Sequence, residues 1–151
     1  MKKIRFYLVL CCIAVLVNSK ASSQVICKWK ASFVISDIRV MGKLETKVLS
    51  SLQIDVQNEG TCVWKKNEVY MKAKVHTVPR GADKSDAEAS FNTSQKFYLN
   101  NDHVTKGGTG RFILKFDQIG VEGMYVLELV VMNKAGEEIS KPVQYRLKYT
   151  D

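Results

Sequence analysis

Histidine is scarce in this chain, and its 2 residues, His76 and His103, lie a long loop apart with no cysteine at metal-ligand spacing. They read as solvated surface residues, so no metal site is expected. The serines lack the setting of a nucleophile elbow. The carboxylates Asp37, Asp55, Glu68 and Glu128 are scattered among strand-like segments without pairing. Neither nucleophilic nor acid–base catalysis has its residues, and neither an enzyme nor a cofactor is expected. Long hydrophobic runs are missing as well. The one extended apolar stretch, Phe6 to Val17, ends at Asn18 and Lys20, short of the roughly 20 apolar residues a helix needs to cross a bilayer. No retained transmembrane segment is expected.

That stretch fits a different role. Lys2, Lys3 and Arg5 precede it and small or polar residues follow, which is the three-part layout of a secretory signal peptide. Cleavage is expected after Ala21, with a second frame ending at Ser23, leaving residues 22–151 as one domain. Cys11 and Cys12 sit in the middle of the apolar run behind Leu10. A lipid-accepting cysteine would close the run behind a small residue, so these two are discarded with the leader. The leader also removes Lys2, Lys3, Arg5 and Lys20 and no acidic residue, so the net charge of +8 falls to +4. Without a run of like charges, and with export, a nucleic-acid partner is not expected. The chain is placed outside the inner membrane: periplasmic, on the outer surface, or secreted.

Only Cys27 and Cys62 remain after cleavage. In an oxidising compartment such a pair reads as a disulfide, and closing a loop of about 35 residues stabilises a fold by about 3–4 kcal/mol in the chain-entropy model. Two buried free thiols are the alternative.

The dominant hydrophobic period is two, and helical spacing extends over no convincing length. Phe33 to Ile35, Ile38 to Val40, and Val48, Leu52, Ile54 and Val56 mark half-buried strands. The alternation is cleanest from Val69, where Val69, Met71, Ala73 and Val75 take one face and Tyr70, Lys72, Lys74 and His76 the other. The first set reads as core and the second as wet surface. Residues 79–90 are polar, with Pro79 and Gly81, and read as a long surface loop that packs no core. Further strands are expected over 95–99, 111–116, 124–132 and 139–149, the last with Pro142 at an edge or bulge. The pattern predicts an all-β, immunoglobulin-like antiparallel two-sheet sandwich of seven or eight strands.

The most specific string is Asn58-Glu59-Gly60-Thr61-Cys62-Val63-Trp64. Asn58 and Gly60 suit a chain reversal, and Trp64 returns toward the sandwich as a large apolar plug. The string resembles the Asn-x-Gly-Thr-x-x-Trp turn of the four-tryptophan (FW) immunoglobulin-like domain, known from selective-autophagy receptors and bacterial exported proteins. Glu122-Gly123-Met124-Tyr125 is similar to that family's Pro-Gly-x-Tyr, and 133–136 sits where its last hairpin turns. The layout extends over 33–149. Ile54 and Leu129 stand where the family often has further tryptophans, and Glu122 replaces the usual proline, so the chain resembles a distant exported bacterial relative. The resemblance implies a binding or spacer module, and its turn motif is structural.

The remaining candidates reduce to a surface. Met41, Met71, Met124 and Met132 could suit soft copper, but Met71, Met124 and Met132 occupy strand positions that a core would use. Lys106-Gly107-Gly108-Thr109-Gly110 lacks the order of a phosphate loop and reads as a turn. Asn92-Thr93-Ser94 is a glycosylation sequon by sequence only. Tyr70, Lys72, Lys74 and His76 form the candidate binding face, suited to an envelope protein partner or an anionic glycan. The expected function is an accessory module docking onto an envelope assembly or extracellular polymer. The alternative is a fibre-like subunit or inhibitor that acts by β-strand addition.

Overall fold

Two antiparallel sheets hold most of the regular structure in the computed structural model, which describes residues 26–34, 39–41, 50–117 and 120–149. The expected signal peptide and its cleavage positions lie outside these residues, as do Asp37, Val48 and the side chain of Met41. The elements are β1 (Ala31–Phe33), β2 (Arg39–Met41), β3 (Ser50–Asn58), β4 (Trp64–Lys65), β5 (Val69–Thr77), α1 (Lys84–Ser90), β6 (Phe97–Tyr98), β7 (His103–Val104), β8 (Thr109–Phe116), β9 (Gly123–Asn133) and β10 (Val143–Tyr149).

In the first sheet β3 is central. It pairs with β8 from Ser50↔Phe116 to Gln57↔Thr109, while β1 and β2 lie along its other edge, opposite its two ends. The second sheet runs β10-β9-β5-β6. Counting β1 and β2 as one edge, the two sheets hold seven strand positions in the order of an immunoglobulin-like sandwich. The short ladder of β4 with β7 is additional, and its Trp64 and Val104 both lie in the core.

Alternation dictates which side chains fill the space between the sheets. Leu52, Ile54 and Val56 of β3 and Phe112, Leu114 and Phe116 of β8 are all fully buried. Facing them are Met71, Ala73 and Val75 of β5, Leu127, Leu129 and Val131 of β9, and Leu147 of β10. Each of these side chains apart from Ala73 contributes about 1.5–3 kcal/mol by leaving water.

The connection into β9 is fixed by Tyr125, which is 1% exposed and donates its hydroxyl to the Val121 carbonyl at 2.6 Å. A tyrosine at the start of this strand bonded back to the preceding loop is a tyrosine corner, a recurrent device of immunoglobulin-like sandwiches. Burial raises its phenol above the ordinary value.

One segment departs from the sequence reading. Residues 79–90 are not loop throughout, because Asp83 caps α1 by accepting from the backbone N–H groups of Ser85 at 2.7 Å and Asp86 at 3.3 Å. The segment also packs the core. Ala87 is 5% exposed, and Phe91 at the helix end is fully buried against Phe116 and Tyr125, with ring centroids 5.1 and 5.5 Å away. A helix of 7 residues is too short to display a helical hydrophobic period, which is why its pattern reads as loop.

Candidate functional site

The Asn58 to Trp64 string forms a cradle for the N-terminal segment of the domain. Asn58 is fully buried, donates Nδ2 to the carbonyls of Cys62 (2.8 Å) and Val104 (3.1 Å), and accepts from Gly60 N at 3.0 Å. The reversal so held presents its backbone to residues 28–30. Gly60 N donates to Lys30 O at 3.1 Å, Thr61 N to Lys28 O at 2.8 Å, and Lys28 N to Thr61 Oγ1 at 2.8 Å. A Cβ on Gly60 would stand 2.1 Å from Lys28 O and 2.7 Å from Lys30 N, so the close crossing of two backbones demands glycine here. Cys27 and Cys62 are joined as a disulfide with Cα atoms 4.8 Å apart, tying the same segment down covalently.

Trp64 is fully buried, and Gly110 lies against its ring. Its Nε1 finds no hydrogen-bond acceptor among the described residues. The motif is therefore architecture: every polar group of Asn58 is spent on backbone, and Trp64 presents nothing to solvent. Trp29 is half-buried at the edge of the core.

The candidate binding face is divided. Lys72 and Lys74 stand exposed on the outer side of β5. His76 is exposed too, but it sits in a β-bulge, since Val75 pairs with Leu127 and Thr77 with Val126. Tyr70, expected on the wet side, is only 4% exposed. The Tyr98 ring lies 5.8 Å from it at 55°, and Lys96 Nζ stands 4.6 Å above its face. The outer face is thus closed at the Tyr70 end and open at the other.

Register shows what lies beside the two lysines. Lys72 is opposite Val130, Lys74 opposite Glu128, and Thr77 opposite Val126 on β9. Beyond β9, Gln144 is opposite Glu128, Arg146 opposite Val126, and Lys148 opposite Met124. Arg146 and Lys148 are exposed, Val126, Glu128 and Val130 half-buried, and Met124 45% exposed. Met124 therefore does not serve the core position expected of it, because the inward set of β9 begins at Tyr125. The outcome is an apolar stripe of Met124, Val126 and Val130, interrupted by Glu128, with the lysines of β5 beside its 128–130 end and the cations of β10 beside its 124–126 end. Glu128 is the one carboxylate among the described strand residues of that open region. None of Lys72, Lys74, Arg146 and Lys148 forms an ion pair among the described residues. Sequence reasoning missed Arg146 and Lys148. Their alternation with Tyr145 and Leu147 was legible, but their place beside β5's lysines comes from the β10-β9-β5 order.

Other candidates resolve into structure. His103 is exposed, and no group of three or more metal-ligating side chains occurs among the described residues. Met71 is fully buried and Met132 is 5% exposed. The glycine-rich 106–110 segment is a turn into β8, with Gly107 N donating to Asn58 O at 2.7 Å and Asn58 N to Gly108 O at 2.9 Å. Asp55 holds Arg111 across the ladder through Nε at 3.0 Å and the guanidinium end at 3.3 Å, and Glu68 pairs with Lys134 at 2.8 Å. These contacts hold the Arg111 pKa above and the Glu68 pKa below their ordinary values, chiefly by hydrogen bonding. Asn92 donates to the Lys115 carbonyl at 3.2 Å, so its amide already fixes the chain beside β8. No helix among the described residues is long and apolar enough to cross a membrane. Compared with family models and with curated proteins, the chain matches none.

Proposed function

We propose that this chain is an exported, non-catalytic binding module that docks onto an envelope protein assembly or extracellular polymer through the outer face of its second sheet. The observation that carries the reading is the grouping of Lys72, Lys74, Arg146 and Lys148, without ion-pair partners among the described residues, around a partly exposed apolar stripe. A solvated face needs no such stripe, whereas a docking face combines apolar contact with charges that steer its partner. The resemblance of the Asn58 to Trp64 turn and of Gly123-Met124-Tyr125 to the four-tryptophan immunoglobulin-like family supports a binding module, and the amino-terminal leader supports export. The test is crosslinking in the native host with a photoreactive residue at Lys74, and separately at Lys106 on the distant turn. A protein or polymer adduct from position 74 alone supports the reading, and equal adducts from both positions, or none, refute it.

A second reading, strand addition, is favoured by one observation. The outer edge of β10 pairs with no strand among the described residues. Beside it runs a groove of about 300 Å³ lined by Lys30, Ala31, Phe33, Lys141 and Val143. Concentration-dependent polymers or a tight complex in size-exclusion chromatography would favour it over the first reading, which expects a monomer.

A further inference from the structure

We infer that the partner of the outer face is an acidic protein surface with a small apolar centre. The inference rests on the docking reading above and narrows its partner to one chemical class. The open region runs from Met124 to Val130, about 20 Å along β9, and about 10 Å across from β5 to β10, given strand rise and spacing. Within it, Lys72 and Lys74 of β5 and Arg146 and Lys148 of β10 outnumber Glu128, the one carboxylate among the described strand residues there.

Four observations select the occupant. A second copy of this chain would bring like-charged rows together. Aromatic rings, on which a polysaccharide stacks, are withdrawn: Trp64 and Tyr70 are buried, and Tyr98, 46% exposed, stands at the closed end. Met124, 45% exposed, is the one large apolar side chain that stands out of the stripe, while Val126 and Val130 are half sunk, so a membrane would meet a single side chain and not the broad apolar face that interfacial binding needs. The cations are spaced as strand neighbours are, about 7 Å within each pair along its strand and about 12 Å on the diagonal from Lys74 to Arg146 across β9, which matches carboxylates carried on an extended or sheet-like protein surface. The cations set attraction and orientation, and the stripe supplies the apolar contact that distinguishes such a partner from a simple polyanion.

The experiment titrates the isotope-labelled mature domain with a synthetic peptide alternating glutamate and valine, and in parallel with one alternating glutamate and serine, polygalacturonate, and phosphatidylglycerol vesicles. Amide shifts with the first peptide are expected on the outward positions of β5, β9 and β10. The valine peptide binds several-fold more tightly than the serine peptide. Lys74→Glu with Arg146→Glu weakens it by at least about tenfold, while Lys106→Glu leaves it unchanged. If the double variant abolishes binding of polygalacturonate or vesicles while the wild type ignores the peptides, the docking face stands and the acidic-protein assignment is overturned. Peptides bound equally well with serine or valine also overturn it, since the stripe then contributes nothing. If no probe responds to the double variant, both the face and its partner class fall.

Discussion

Truncating Trp64 measures how much of this fold hangs on one side chain. Trp64 is fully buried between the sheets, and aromatic-to-alanine changes at such sites cost about 3–5 kcal/mol. Two features of the site set where in that range it falls. Its Nε1 bonds to none of the described residues, so truncation forfeits apolar burial and no hydrogen bond within them. Against that, the neighbour is Gly110, where a Cβ would stand 3.2 Å from the indole carbons, so no side chain is present there to swing into the void. The expectation is a loss of about 3 kcal/mol for Trp64→Ala, a large share of the 5–15 kcal/mol typical of a small domain. Trp64→Phe keeps most of the apolar volume and, with Nε1 bonded to none of the described residues, breaks no hydrogen bond within them, so it should lose no more than about 1–2 kcal/mol. Trp29→Ala, at the half-buried rim, should cost less than Trp64→Ala. Urea unfolding of the mature domain followed by circular dichroism supplies all three values. Equal midpoints for Trp64→Ala and wild type would refute the plug, and a Trp64→Phe loss as large as that of alanine would refute the account of the indole N–H.

Gly60→Ala should destabilise by about 2–4 kcal/mol in the same assay, because the new Cβ meets backbone atoms of Lys28 and Lys30 at 2.1 and 2.7 Å and the segment must lift off; unchanged stability would mean that the crossing relaxes freely. Tyr125→Phe removes only the 2.6 Å bond to Val121 O and should cost about 1 kcal/mol, read as a small fall in unfolding midpoint with native circular dichroism. The Asp83 carboxylate is held below its ordinary value near 3.8, first by the Ser85 hydroxyl and then by the Ser85 and Asp86 amides. A depressed folded pKa gives stability that is present above the unfolded value and lost as pH falls through the folded one. Asp83→Asn should therefore flatten the acid limb of stability against pH below about pH 4 while leaving the neutral-pH helix in place; an unaltered acid limb would show that the cap does not titrate with folding.

The parts of this fold that were legible in the sequence are those where a single strand carries its own message. The alternation from Val69 to Val75 names the buried face of β5, and each of those apolar side chains is at most 5% exposed. The same logic fails where exposure is decided by a neighbour. Tyr70 has the outward parity of Lys72, but it is covered because Tyr98 pairs opposite it, a contact between residues far apart in sequence. Met124 has the composition of a core residue and the parity of an outward one, and parity prevails because Tyr125 must turn inward to reach Val121. The short helix gives no period to read, though its Asp83 cap and terminal Phe91 are both visible as residues. The candidate site fails to read from sequence for a related reason. Lys72 with Lys74 and Arg146 with Lys148 are each a weak, ordinary pair on a wet strand face. They become one cationic frame only when β9 is laid between them, and the apolar stripe they enclose is the outward parity of β9 itself. A surface of this kind is written in strand order, so the parity of each strand has to be read together with its neighbours before its chemistry emerges.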